Sequence, residues 1–360
     1  NSVMPRIFII GLVILGIIIF GVVLSLFGFL PGKKTAAPVP VTVSLWGSED
    51  NEDVWHKVIE DFNKQYPEIT VIYKKVNPDA FEETLVNALA EGIGPDMALL
   101  PQSLITKHHD KLFPLPQQAF NFDTRSFRNL FADAFADDLI DKDNNILGLP
   151  LFMDTPILFY NKDMFNAAGI ALPPHTWDDV LARSRSFTTR SSAGDIITSG
   201  LAIGAGQNVE RSFEIINSMI LQNVKLLVPD NDRHIVFDDG TNGAFMFYTS
   251  FSTPSSPNFS WTNRLQNSFT LFSQERAAMA IGMSQDIPRI LAKNPHLNLG
   301  IAAFPQQANT RLPVVYGEYF FPAVLKASQN PGVAWQFIFY ASAGAGAATY
   351  AQASGRPAAR

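Results

Sequence analysis

The 360-residue chain contains no cysteine. That absence removes disulfides, thiolate metal sites, cysteine nucleophiles and any lipid attached through a thiol. No His-Glu-x-x-His occurs, and the adjacent His108 and His109 would point to different faces of a helix, which argues against a metal site. Gly-x-Ser-x-Gly is missing too, and the six histidines show no catalytic setting. "GLAIGAG" (200–206) lacks both the dinucleotide fingerprint and the phosphate-loop lysine, so it reads as a backbone bend. "DKDNNILG" (141–148) opens like a calcium loop, but Ile146 stands where glycine is needed and Phe152 where a bidentate glutamate belongs. It reads as a turn. No cofactor and no metal is expected.

Apolar residues are plentiful, at 47% of the chain, enough for one large or two medium lobes. Residues Ile7 to Leu30 carry no charge over 24 positions, which as a helix would be about 36 Å long against a hydrocarbon core of about 30 Å. An uncleaved membrane anchor within residues 1–34 is expected, followed by a Pro- and Ala-rich linker at 35–40. Setting aside Arg6, Lys33 and Lys34 leaves 24 basic against 33 acidic residues, a net charge of −9. Such a surface argues against nucleic acid as a partner.

Beyond the linker, "VTVSLW" (41–46) reads as a strand by its β-branched content, and "EITVIYKK" (68–75) and "DMALLP" (96–101) read as the next two strands. Between them "NEDVWHKVIEDFNKQY" (51–66) reads as a helix with Val54, Val58, Phe62 and Tyr66 on one stripe, and 80–92 as a second. Strand, helix, strand, helix, strand predicts a parallel sheet with ligand-facing loops beyond the strand ends. The middle of the chain, about 156–318, reads as helix-rich. Strands return at 297–305 and 318–325, and a helix at 332–344. Two lobes are expected, the first from 41–154 and 319–355, the second from 155–318.

"ILGLPLFMDTPILFY" (146–160) places Asp154 inside an otherwise apolar run. A buried charge without a partner is costly, so this carboxylate is either a partnered structural group or a binding group at the rim of a crevice. Trp46, at a strand end before a polar turn, and Trp261, in a Ser- and Asn-rich loop, are candidates for ligand stacking. Phe62, Phe81, Phe247, Trp335 and Phe339 fall at core spacing instead.

The chain resembles the extracellular solute-binding proteins of ABC importers, in particular the carbohydrate-binding family that includes maltodextrin-binding protein. The resemblance rests on "GLPLFMDTPILFYNKDMFNAAGIALPPHTWDDVL" (148–181), supported by residues 43–67, 92–101, 275–288 and 297–305 in family order. It implies an α/β, two-lobed periplasmic-binding-protein-like fold (class II-like) behind the N-terminal transmembrane helix. The ligand would sit in the cleft, and Asp154, four positions after Pro150, would accept hydrogen bonds from sugar hydroxyls. By the same resemblance Ser48, Glu49, Asp50, Gln102, Ser103, Tyr316 and Glu318 are candidate polar contacts. The family's "AAM" helix, which by the resemblance falls at 277–279, leads into a sugar-stacking tryptophan where this chain has Ser284, so one platform is missing. The family pattern continues past "ASGRPAAR" (353–360) with further helices of the second lobe, which this sequence does not contain.

The function implied is binding without catalysis: a membrane-tethered, extracytoplasmic protein that captures a small polar solute, foremost an oligosaccharide, and presents it to the transmembrane subunits of an ABC permease. The competing readings are a secreted glycosidase using two of the 33 acidic residues and a tethered solute sensor.

Overall fold

The computed structural model describes residues 40–223 and 239–359. The expected anchor at 7–30 lies outside the described residues, as do the linker's residues up to 39. Among the described residues no helix is long and apolar enough to cross a membrane.

Strands β1 (Val41–Gly47), β2 (Ile69–Lys75) and β3 (Met97–Pro101) form where the sequence predicted them. β1 pairs in parallel with both β2 and β3. Helix Glu52–Gln65 makes the first crossover; it carries Glu52 and Asp53 in its first turn and Lys64 in its last, matching the helix dipole. Its buried stripe is Trp55, Val58 and Phe62, so Trp55 occupies the core position expected of Val54. Short strands β4 (Leu112–Phe113) and β5 (Phe152–Asp154) complete this part of the chain.

The second sheet uses β6 (Ile157–Asn161), β7 (Thr189–Arg190), β8 (Ile196–Leu201), β9 (Ala277–Gly282) and β10 (Leu299–Ala303) in the order β10-β6-β9-β8-β7. Its central strand β9 holds the "AAM" segment expected to be helical. All six of its residues are buried, so no alternation survives to mark a strand, a pattern typical of strands covered on both faces.

The chain then returns to the first sheet through β11 (Glu318–Leu325), which runs antiparallel to β3, β4 and β5. The result is two mixed sheets, each with its own apolar core. Among the described residues two chain passages join them. Only Thr155 and Pro156 separate β5 from β6, while residues 304–317 lead from β10 to β11.

Close packing in the second lobe is tightest at Gly200 on β8, where an added Cβ would collide with the Ser184 carbonyl of helix Trp177–Phe187. Backbone cannot swing aside as a side chain can, so Gly200→Ala is expected to cost roughly 1–3 kcal/mol of stability in urea unfolding. A neutral outcome would mean the helix can shift.

Candidate functional site

Asp154 and Glu318, two of the polar residues expected at the ligand edge, lie where the two passages meet. β5 and β11 are neighbours here, and Asp154 and Glu318 are register partners. Asp154 is 3% exposed, and its partners answer the question raised by a charge in an apolar run. One carboxylate oxygen accepts the amides of Thr155 (2.9 Å) and Ser284 (3.2 Å). The other accepts the Ser284 hydroxyl (2.8 Å) and the Gln285 amide (3.1 Å). Ser284 and Gln285 follow β9, so these bonds cross from one lobe to the other.

Glu318 faces the same gap with looser partners, the Gln285 side-chain amide at 3.4 Å and the Arg211 guanidinium at 3.7 Å. Arg211 itself is engaged within its own lobe. Its Nε and Nη2 donate to the two oxygens of Asp286 (2.9 and 3.0 Å), a bidentate pair, and Nη1 donates to Glu214 (3.2 Å). Burial alone would make the guanidinium easier to deprotonate; the Asp286 hydrogen bonds and charge, with Glu214 and Glu318, outweigh it and hold Arg211 firmly protonated.

Burial also pushes the Glu318 carboxyl above its ordinary 4.5; Arg211 opposes the shift, and Glu214 and Glu49 add to it. Because folding raises this pKa, the folded chain keeps a proton that the unfolded chain has released just above pH 4.5. The contribution of Glu318 to stability is therefore full below pH 4.5 and declines as pH rises. Glu318→Gln is expected to reduce that decline in urea midpoints measured from pH 4.5 to neutrality. A steeper decline would reverse the sign. Some slope should remain, because burial raises Asp50 in the same direction against the opposing pull of Arg356 and Tyr350.

Gln102 and Tyr316 also come together. The Gln102 amide donates to the Tyr316 hydroxyl (3.1 Å) and the Gly317 carbonyl (2.7 Å), and its oxygen accepts the Tyr319 amide (2.6 Å). This side chain staples the second passage to the end of β3. Ser103 is exposed on the turn beside it, and Glu49 is half-buried near Glu318.

Other expected contacts turn inward. Ser48 and Asp50 are buried; Asp50 accepts the Tyr350 hydroxyl (2.9 Å) and lies 3.7 Å from Arg356, tying helix Gly346–Ser354 to the loop after β1. Trp261 is 0% exposed in the second core, its indole donating to Asn208 (2.9 Å), so no ring face is available to a ligand. Its polar neighbours suggested a surface loop, but Asn208, from a distant part of the chain, satisfies the ring edge within the core. Trp46 keeps a half-buried face, with the Lys74 ammonium 4.0 Å from its ring centroid. Ser284 directs its hydroxyl to Asp154, and it is the next residue, Gln285, whose side chain reaches across the gap.

Sequence reasoning missed Arg211, Phe213, Glu214, Gln285 and Asp286. Phe213 is 64% exposed, a high value for phenylalanine, and packs edge-on against Tyr316 with ring centroids 5.9 Å apart. The signal that could have found these residues is slight: an Arg and Glu three apart at a helix start, and an acidic residue before Pro288.

The arrangement offers hydrogen-bonding carboxylates, an amide and aromatic edges between two lobes. A binding protein of Brucella abortus is 21% identical over 309 residues, covering 86% of this chain and 73% of that protein. The multiple sugar-binding protein of Streptococcus mutans is 22% identical over 286 residues, covering 74% of this chain and 62% of that protein. The structure of the sugar-binding protein MalE from Xanthomonas citri superposes with a TM-score of 0.70 at 22% identity, covering 89% of this chain and 79% of that one. The model of the family described as bacterial extracellular solute-binding protein matches residues 47–347. With that match spanning most of the chain, and with the two-lobed fold behind it, the protein belongs to the bacterial extracellular solute-binding proteins, a family of binding components rather than enzymes.

Proposed function

We propose that this protein captures a neutral, hydroxyl-rich solute, foremost an oligosaccharide, between its lobes and delivers it to the transmembrane subunits of an ABC permease. Residues 1–34 would tether it to the membrane through 7–30, with 35–40 as linker, leaving the lobes extracytoplasmic. Binding would draw the lobes together because a solute bridging both favours the closed arrangement by its differential affinity.

The observation that carries the solute class is the engagement of Arg211. Its guanidinium is already held by Asp286 and Glu214, while Glu49, Glu214 and Glu318 keep acceptor capacity toward the gap. Hydroxyl donors suit such a surface; a phosphorylated or carboxylated solute would meet these carboxylates, and Arg211, the guanidinium beside Glu318, is already engaged. Arg356 is largely enclosed, its guanidinium over the Phe152 ring and 3.7 Å from Asp50. Phe213, Tyr316 and Trp46 offer apolar surface for the face of a sugar ring.

Thermal unfolding against a panel of neutral oligosaccharides, polyols, amino acids, polyamines and sugar phosphates tests this reading. A neutral saccharide at 100 times its dissociation constant should add about 2.7 kcal/mol. Stabilisation by sugar phosphates alone would overturn the solute class, and turnover of a chromogenic glycoside would overturn the binding reading in favour of a glycosidase.

A further inference from the structure

We propose that Asp154 is a positioning residue: it clasps the second-lobe turn Ser284–Asp286 to the end of β5 and thereby fixes where Gln285 and Arg211 stand in the cleft. The turn follows Met283, whose thioether is a weak acceptor, so the first amides of the turn lack a good cap from their own chain. A carboxylate from the other lobe fills that role. Three of the four hydrogen bonds that Asp154 accepts come from Ser284 and Gln285, and both of its oxygens are engaged. A solute could bind Asp154 only by breaking this clasp.

The contacts close a ring. Asp154 holds Ser284 and Gln285; the same turn ends at Asp286, which holds Arg211 bidentately. Arg211 and the Gln285 side chain both approach Glu318, and Glu318 is the register partner of Asp154 on β11. Two neighbouring carboxylates of one lobe thus grip a single turn of the other. The grip sits beside Thr155 and Pro156, the shorter of the two passages between lobes, where hinge rotation displaces atoms least. The clasp therefore persists through opening and closing as a pivot, while the Arg211 and Gln285 contacts with Glu318 are the ones that a solute can replace.

The absence of cysteine allows a clean test. Glu83→Cys and Asn166→Cys, on exposed helical positions of the two lobes, accept a spin label each without background labelling. Without any solute, the interlobe distance distribution of the full chain should be narrow. Asp154→Ala should broaden it, Ser284→Ala should broaden it less, and Asp154→Asn, which keeps one acceptor for the Ser284 amide, should recover part of the loss.

A residue that merely stabilised its own lobe would lower the unfolding midpoint and leave this distribution alone. An unchanged distribution in Asp154→Ala overturns the proposal, and a loss of solute affinity in that case would mark Asp154 as a ligand contact. Should Asp154→Ala fail to fold, Ser284→Ala decides by the same criterion. For a bound solute, affinity should fall roughly ten-fold in Asp154→Ala, the scale of one charge-assisted hydrogen bond. That last arm rests on the solute-binding reading; the distance arm does not, so the two can fail separately.

Discussion

Trp261→Ala is expected to destabilise the second lobe by about 3–5 kcal/mol, the range for removing a large aromatic from a packed core. The ring is wholly buried, and the backbone amides of Ser260 and Trp261 both donate to the Phe251 carbonyl, so the segment has little freedom to collapse into the space left. Asn208 would also lose the indole partner of its side-chain oxygen while its amide stays fixed to the Thr262 and Leu265 carbonyls. An acceptor stranded this way adds about 1–3 kcal/mol if water cannot reach it. Urea unfolding followed by circular dichroism checks this, with each lobe's transition fitted separately, since two cores need not melt as one. Trp46→Ala, at a half-buried site, is the control and should cost much less. If Trp261→Ala instead left stability unchanged and abolished solute binding, the ring would belong to the ligand and not to the core.

Trp261 also shows where the sequence stops being informative. Residues 41–101 are legible because local chemistry and burial agree there: β-branched runs become β1 and β2, a short apolar run becomes β3, and an amphipathic helix with two acidic residues in its first turn joins the first two. β9 was not legible, because a strand buried along its whole length has no period to read. The position of Asp154 at a strand end beside a lobe passage could be foreseen, but its partners lie 130 and 131 residues further on, and no local rule links them. Trp261 misled for a related reason. Ser, Thr and Asn around it suggested solvent, whereas Asn208, more than fifty residues earlier, satisfies its indole from within the core. Arg211 shows the same limit: its meaning depends on Asp286, which follows β9 of the second sheet, and on Glu318, which opens β11 of the first.

Asp286→Ala should be nearly as damaging as Trp261→Ala, about 3–5 kcal/mol, and for an electrostatic reason. The Asp286 side chain is 5% exposed, accepts the Met283 amide at 2.9 Å and takes two guanidinium hydrogen bonds. Its removal leaves Arg211 largely buried with its strongest counter-ion gone, and breaking a buried pair from one side costs far more than the pair contributes as a whole. Glu214 and Glu318 remain within reach of Arg211, which places the expectation at the lower end of the range. Replacing both partners by apolar residues, Arg211→Met with Asp286→Leu, should therefore recover much of the loss, and a double-mutant cycle in urea measures how much. A double variant no more stable than Asp286→Ala would show that the damage comes from the lost Met283 cap and not from the stranded charge. The single variant also has a functional signature. Freed from Asp286, the Arg211 guanidinium turns toward the gap, where it would attract anions that the parent excludes. Asp286→Ala should then gain measurable stabilisation by sugar phosphates while losing affinity for neutral saccharides, because the same cation would draw Glu318 away from solute hydroxyls.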